Sequence, residues 1–528
     1  MSRFSWSIPP KVGRREGLRA WSGGYTTDVV YDDQIVRELC PAWFSMVSVF
    51  GVQPPLDLTR RQVWLDLACG TGLMACAVAA GHPNIEVWGV DFNPAHIERA
   101  QGLARTAALK NVTFVEGDFA TVAQDRSIGP DEVDIVVVNG VYSWISADNQ
   151  DRIVEIIAQR LRPGGLAHVM YESAAGWSSM GPVAEALRLM VDADGRRGDL
   201  AFHDAAAAMV DFASDGAAYF PMGSRETAQM QGWADLKTGL GAHEYLGAHF
   251  APLDVSDVHG VMAKAKCSFI GGVNPLDRHA HYSYPPGFRD VLSFTNDSIK
   301  REMIRDLSLQ TPLRSDLFRR GKATLTPSEH EEALRNLRIG GLGKPFESVP
   351  IDLPAMNITL DPTYHEPLID SLNHGILDVV AMLEIHPSWS LSDATTAMAL
   401  LSAAGYAAPT VLPEPVAGSV DACWRLNRAL SRERSFGREH ACIATPATGT
   451  MVALDFVEAL GMDALWVGIQ PNVQVVCKHV ADTLASLQMT VREDGMLVQD
   501  AGEAKRIVLD RIAQLLGRQP AFDSLGVV

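Results

Sequence analysis

Cysteine is scarce in this chain, seven residues in 528, and no two stand in a C-x-x-C pair. An odd, scattered set argues for free thiols in a reducing compartment rather than a disulfide scaffold. Excess positive charge is missing as well. Lys and Arg number 45 against 63 Asp and Glu, a net charge of −18, which argues against nucleic acid as the main partner because phosphate contacts need clustered cations. Cationic partners are electrostatically easier, although an acidic surface also serves simply to keep a protein soluble. No apolar run approaches the length of a transmembrane helix, and residues 1–20 carry basic groups without the apolar stretch of a signal peptide. A soluble, cytoplasmic protein without a membrane partner is expected. Repeats and low-complexity tracts are absent. His279-Ala280-His281 is an isolated H-x-H with no third ligand in view, so no metal is expected.

What is present is a chain with 47% hydrophobic residues, long enough for two or three globular domains. Its most informative stretch is Val63-Trp64-Leu65-Asp66-Leu67-Ala68-Cys69-Gly70-Thr71-Gly72. An apolar strand runs into an acid and then into a glycine loop that opens a helix. A second strand, Ile85 to Val90, ends on Asp91 and Phe92. Glycines allow close backbone approach to a ligand, and an acid after the second strand can accept both ribose hydroxyls. Gly70 to Ala75 also fits the dinucleotide pattern G-x-G-x-x-A, so an NAD oxidoreductase has to be considered. Three features count against it. Asp66 would repel a pyrophosphate and attract a cationic amino group such as that of a methionine moiety. The third strand, Val112 to Glu116, ends in Gly117-Asp118-Phe119, an acid beside an aromatic that suits an adenine. The fourth, Val133 to Val138, ends on Asn139-Gly140 at the same sheet edge.

These four strand ends, in order, resemble class I S-adenosylmethionine (SAM)-dependent methyltransferases, with Ala68 replacing the first glycine of the usual D-x-G-x-G-x-G loop. The resemblance implies SAM as cofactor, with Asp66, Gly70 and Gly72 at its methionine end and Ala68 and Thr71 in the same loop. It places Asp91 at the ribose and Asp118 with Phe119 at the adenine, and counts Phe92, Asn139 and Tyr25 among the cofactor-binding residues. Only a slight shift of the cofactor is expected from Ala68. The segments Asn139-Gly140-Val141-Tyr142-Ser143-Trp144-Ile145 and Tyr171-Glu172-Ser173-Ala174-Ala175-Gly176-Trp177 narrow it further. They are similar to methyltransferases carrying a methyltransferase regulatory domain, as are Gly24-Tyr25-Thr26-Thr27-Asp28, His243-Glu244-Tyr245-Leu246 and Leu317 to Gly321. The similarity spans roughly residues 20 to 325. The wider group includes bacterial outer-membrane-protein lysine methyltransferases; lysine as acceptor is an analogy at this point.

The fold expected is α/β: a Rossmann-like class I methyltransferase sheet, a helical insertion, and a C-terminal mixed α/β domain with a winged-helix-like fold as one option. The divisions are a leading lid over 1–60, a SAM-binding core over 61–180, an insertion or regulatory domain over 181–350 and a C-terminal domain over 351–528. Within them, Asp33 to Val52 reads as helical with Pro41 as a kink or break. Helices are also expected from Pro94 to about Leu109 and from Asp148 to Leu161. Arg162-Pro163-Gly164-Gly165 should stop the last and turn into a fifth strand, Leu166 to Tyr171. The final sheet strands are expected from the 266–325 region, and Pro345 to Pro362 reads as a linker.

For the chemistry, the acceptor must lie in line with the S–CH₃ bond, away from water, and an amine must lose its proton to attack. Tyr142, after strand four, is the candidate for acceptor positioning. Glu172, after strand five, is the candidate for proton management, with Tyr171 beside it either catalytic or closing the sheet. The absence of N-P-P-Y after strand four weakens the case for a nucleobase or glutamine amine. Trp144, Trp177 and Tyr25 would wall a cleft that favours a cationic amine, though packing is the more ordinary role for both tryptophans. Arg314, Arg319 and Arg320 read as a solvated helix face, with an acidic substrate as the alternative. Partners are then a protein or small-molecule methyl acceptor, with a homodimer left open by the extra domains. A SAM-binding regulator without turnover is the competing reading from another class.

Overall fold

Seven strands make the central sheet: β1 (Gln62–Leu67), β2 (Ile85–Asp91), β3 (Val112–Glu116), β4 (Val133–Val138), β5 (Leu161–Glu172), β6 (Cys267–Gly272) and β7 (Leu313–Arg320). In the computed structural model they lie in the order β3-β2-β1-β4-β5-β7-β6. Neighbours from β3 through β5 are parallel, and β7 runs antiparallel to both β5 and β6. The structure describes residues 33–194, 198–220, 223–235, 247, 249–288, 291, 295–321, 323–410, 414–436, 438, 440–493 and 496–527. Those residues fall into two compact units. One comprises 143–147 and 177–252, the other 33–142, 148–176 and 253–528.

The larger unit holds the sheet. All six residues of β4 are buried, as expected of a parallel strand covered on both faces. Helices α2 (Leu73–Gly81), α3 (Pro94–Thr106), α4 (Phe119–Gln124) and α5 (Ala147–Arg160) connect or follow the strands. Asn93 caps α3 by accepting from the Ala95 N–H, with Pro94 at the first helical position, where its missing N–H costs nothing. Helix α5 buries Ile153, Ile156 and Ile157 at the spacing of one helical face. The last two strands come from the 266–325 region, as the sequence suggests.

Three local expectations are corrected. The segment from Asp33 is not helical until α1 (Pro41–Phe50), because Pro41 occupies its first turn. Proline starts that helix rather than kinking it. The Arg162–Gly165 turn belongs to an irregular start of β5: Leu161 pairs with Val133, the register then shifts, and regular pairing resumes at Leu166 with Ile135. Residues 345–362 are not a bare linker, since β9 (Pro350–Leu353) and β10 (Met356–Thr359) form a hairpin there. The arginine cluster is corrected too. Arg314 and Arg319 lie buried on β7. Arg314 pairs with Asp306 at 2.8 Å and Asp316 at 2.9 Å, and Arg319 donates to the Gly164 and Pro54 carbonyls.

Beyond the sheet, β8 (Arg338–Gly341), β11 (Ile376–Asp378) and β12 (Ala407–Thr410) form a small antiparallel sheet in the order β11-β8-β12. The helix Pro362–Leu372 falls between β8 and β11 in the chain, and the helices Val379–Ile385 and Leu391–Ala403 follow one another between β11 and β12. The chain then returns to the central sheet. Helix α2 is apolar all round, eight of its nine residues being buried. One side faces the sheet; the other meets the helix Ser419–Arg434 and the hairpin of β13 (Cys442–Thr445) and β14 (Thr450–Ala453), whose Leu426, Leu430, Ile443 and Met451 share its core. Two glycines set the closeness. A Cβ on Gly81 would lie 2.4 Å from the Gly449 Cα, and one on Gly449 would lie 2.0 Å from His82 Nε2.

The smaller unit is helical: Gly181–Asp194, Gly198–Ser214 and Arg225–Ala234. Its core gathers Trp177, Met180, Leu187, Phe202, Met230 and Trp233. Trp144 stacks on Phe250 with centroids 4.3 Å apart, and Trp177 stacks on Trp233 at 5.8 Å. Both tryptophans therefore pack.

Candidate active site

The sheet reverses its direction of growth between β1 and β4, and ligands of open α/β sheets lie in the crevice outside the strand tips at such a point. The register decides which side chains meet there. Asp66 stands opposite Gly89 on β2 and Val137 on β4. Asp91 and Asn139 each follow two residues later, and alternation along a strand puts them on the same face as Asp66.

The glycine loop begins with Ala68, held at φ +67°. That is the left-handed region, where an L-residue is about 1–2 kcal/mol less comfortable than glycine, so the departure from the usual loop preserves its backbone shape. The Ala68 and Cys69 N–H groups donate to the Val90 carbonyl, and the Gly70 N–H donates to Asp91 Oδ2 at 2.9 Å. Gly72 (φ +77°) is required twice over, since a Cβ there would lie 2.6 Å from Ala100 Cβ and 2.7 Å from Phe114. Gly70 (φ +55°) faces open space instead, so at that point the loop shows bare backbone to whatever enters. The Thr71 hydroxyl donates to the Asp33 carboxylate.

Two carboxylates face the same crevice. Asp91 is buried, accepting from Gly70 with one oxygen and from the Asn93 N–H at 2.9 Å with the other, while His96 Nδ1 lies 3.2 Å away. These partners fix the carboxylate, and neither Asn93 nor His96 is evident in the sequence pattern. No described residue hydrogen-bonds the Asp66 carboxylate. Burial first, and the nearby Asp91 second, push the Asp66 pKa up to about 7. Cys69 has its thiol pushed well up by burial and by both acids, which leaves it a protonated packing residue. Asn139 adds a third demand: its Oδ1 is buried without a partner, which carries an energetic penalty until a donor meets it. An unpaired amide oxygen, two facing acids and an open stretch of backbone suit the ammonium and sulfonium of SAM. A pyrophosphate would find only repulsion there.

The remaining candidates divide. Asp118 caps α4, accepting from the Thr121 N–H at 2.7 Å and its hydroxyl at 2.6 Å through one oxygen, and these bonds hold its pKa low. Asp118 is exposed, and Phe119 beside it opens the helix. Phe92 is half-buried directly after β2. Tyr142 lies in a 3₁₀ turn after β4 and is buried. Burial, then Asp151, pushes its pKa up to about 12, so it remains a neutral hydroxyl. That hydroxyl makes no hydrogen bond to a described residue, and Gln150 anchors the Tyr142 carbonyl at 2.8 Å. Tyr171 is committed elsewhere. Its hydroxyl donates to Asp316 Oδ2 at 2.8 Å, which also pairs with His259 at 3.1 Å and with Arg314; this is the sheet-closing role. Glu172 ends β5, half-buried, and its carbonyl accepts from Leu253 at 2.8 Å. Tyr25, Glu244 and Tyr245 lie outside the described residues. His279 contacts Thr396, and among the described residues no three side chains gather as metal ligands.

Comparison with known proteins agrees with this geometry. Residues 65–165 match a methyltransferase domain model and residues 240–320 a model for a predicted methyltransferase regulatory domain. The chain is 28% identical over 452 residues to the uncharacterized protein sll1526 of Synechocystis sp. strain PCC 6803, covering 83% of this chain and 87% of that one. It is 27% identical over 139 residues to a carboxy-S-adenosyl-L-methionine synthase of Alteromonas mediterranea, covering 26% of this chain and 55% of the other. The structure of PKMT2 from Rickettsia typhi shares the fold, with a TM-score of 0.66 at 17% identity over 94% of this chain and 100% of that one. Its complex with AdoHcy gives 0.65 at 18% identity over 95% and 99%. No helix among the described residues is long and apolar enough to cross a membrane. Strand order, glycine loop, paired acids and the two matched models converge on a SAM-dependent methyltransferase domain, with a methyltransferase regulatory domain matched over residues 240–320.

Proposed function

We propose that the methyl acceptor is an amine, and specifically a lysine side chain of a protein. In this reading Asp66 and Asn139 hold the amino end of SAM, Gly70 and Gly72 admit its backbone-like methionine portion, and Asp91 takes the ribose hydroxyls. Asp118 and Phe119 flank the adenine. SAM supplies an electrophilic methyl on its sulfonium. The protein's part is to present a neutral amine in line with that methyl and to take its proton.

What supports the reading is that a neutral, buried Tyr142 hydroxyl follows β4 while Glu172 ends the neighbouring strand β5. A tyrosine kept protonated at neutral pH can accept a hydrogen bond from an amine and orient its lone pair without competing as a base. In this reading Glu172, at the end of the neighbouring strand, receives the ammonium and its released proton. A net charge of −18 favours a cationic acceptor's approach, and the Gly140-Val141-Tyr142-Ser143-Trp144 segment resembles that of methyltransferases carrying a regulatory domain, a group that includes lysine methyltransferases. The seven free cysteines suit a reducing cytoplasm.

The test is incubation with methyl-labelled SAM and size-fractionated lysate. Label is expected in protein and, after hydrolysis, in methyllysine. Label confined to the small-molecule fraction would replace lysine with a metabolite acceptor, and no label in either would favour a SAM-binding regulator. Tyr142→Phe should lower kcat by about 100-fold, within the range for loss of one positioned proton-handling group, while AdoHcy affinity measured by calorimetry stays within twofold.

A further inference from the structure

One buried cluster beside the cofactor loop is not used by the transfer reaction. Asp33, ahead of α1, accepts from the Thr71 hydroxyl with Oδ1 and from Arg99 of α3 with Oδ2. The same Oδ2 lies 3.3 Å from His440 Nδ1. The other ring nitrogen, His440 Nε2, lies 2.7 Å from Glu433 Oε2, and Glu433 returns toward Arg99 at 4.0 Å and Arg438 at 3.4 Å. The Asp33, Arg99 and His440 side chains are all largely shielded, and Glu433 is about a quarter exposed. His440 itself is fixed from behind, its carbonyl accepting from Arg434 at 2.9 Å, and Arg434 pairs with Asp463 inside the C-terminal core. Hydrogen bonding from His440 holds the Glu433 carboxyl low.

The loop is thus pinned from two directions. Asp91 holds it through the Gly70 N–H, and Asp33 holds it through the next residue. The first pin belongs to the sheet. The second reaches the C-terminal segment, far away in sequence, through a side chain that no local pattern marks.

We propose that Asp33 is a positioning residue that couples the Thr71 hydroxyl of the cofactor loop to His440 and Glu433, so that the C-terminal segment sets the affinity for SAM. The proposal rests on the reading of Gly70-Thr71-Gly72 as the cofactor loop. Thr71 sits between two glycines in left-handed conformations, where the backbone has little of its own to hold its shape, so an external carboxylate on its side chain fixes how the loop meets the ligand. Coupling of this kind is reciprocal: cofactor occupancy must in turn steady the His440 region.

The experiment is calorimetric titration of the full chain with AdoHcy, alongside hydrogen exchange over residues 419–453 with and without it. Thr71→Val and Asp33→Ala are each expected to weaken AdoHcy binding by about tenfold, within the usual range for coupled sites. The double variant should be little weaker than either, and Thr71→Ser should bind as wild type. His440→Gln and the milder Glu433→Gln should weaken binding severalfold with an unchanged melting temperature for Glu433→Gln. Saturating AdoHcy should slow exchange around His440 in wild type but not in Thr71→Val. Wild-type affinity in Glu433→Gln and His440→Gln, or effects that add fully to that of Thr71→Val, would overturn the coupling. Failure of wild type to bind AdoHcy would instead remove the cofactor-loop reading, and the coupling with it.

Discussion

The two halves of the sheet, on either side of the β1–β4 junction, are built on different terms. On the β3-β2-β1 side the crevice is made of backbone and acids: a loop with three residues at positive φ and the carboxylates Asp66 and Asp91. Its helix α2 has no polar face and is sheathed from outside by the C-terminal helix and hairpin. On the β4-β5-β7 side Asn139 and Tyr142 follow β4 and Glu172 ends β5, the amide, phenol and carboxylate of the proposed acceptor side. Its helix α5 keeps a solvated face, and its strands are closed by β7 through the buried Tyr171–Asp316–His259 contacts. The lesson is a division of support. One half is held from behind by the C-terminal region, the other from the side by a strand of the regulatory segment. Changes to the first half should alter folding and cofactor binding, changes to the second should alter turnover.

The sharpest way to break this contrast is at the contact between α2 and the hairpin. Gly449→Val combines a side chain in a left-handed backbone with a collision against the His82 ring, and strain plus overpacking should destabilise the fold by about 3 kcal/mol. On α5, the exposed Gln159→Ala should stay within about 0.5 kcal/mol. Urea unfolding of both variants checks the pair; equal losses would dissolve the difference between the two helices. Next in size, Asp91→Ala should weaken AdoHcy binding by about 10- to 100-fold, the range for a lost charge-assisted hydrogen bond. Unchanged affinity would remove Asp91 from the site.

A third effect is one of pH. Burial and Asp91 push the Asp66 pKa up to about 7, and a cationic ligand favours its ionised form. Binding therefore expels a proton when the pH lies below that value. Affinity for SAM should rise from pH 5 to 7, approaching about tenfold per unit at the acid end. Asp66→Asn should flatten the profile over that window as well as weaken binding. Calorimetry in buffers of different ionisation enthalpy would show the released proton; its absence at pH 6 would mean that Asp66 does not meet the positive end of the cofactor. The smallest effect concerns the loop's own departure. Ala68→Gly relieves a positive φ and should stabilise the protein by about 0.5–1 kcal/mol in urea unfolding, the relief being partly offset by glycine's greater chain entropy.

Much of the first half is legible in the sequence. Strand ends, glycine loop and Asp91 are local features, because a left-handed turn and a strand terminus each demand particular residues within a few positions. The second half is less so. Tyr171 and Glu172 are adjacent in sequence, yet only the pairing of β5 with β7 shows that Tyr171 is committed to Asp316 while Glu172 stands at the tip. The arginines of β7 read as a solvated face because their partners, Asp306, Gly164 and Pro54, are supplied by the preceding helix, by the irregular start of β5 and by the stretch before β1. One clue lies open: Leu73 to Gly81 contains no polar residue, and a helix apolar all round must be covered all round.

By itself, then, the sequence determined the class of sheet, the cofactor and the order of the acids along its edge, since hydrophobic period, glycine placement and charge act over a few residues. Tertiary structure alone decided what stands behind that edge. The cover on α2, the Tyr171 network and the path from Thr71 through Asp33 to His440 join segments tens to hundreds of residues apart, and short-range patterns carry no record of which distant partner a buried charge will find.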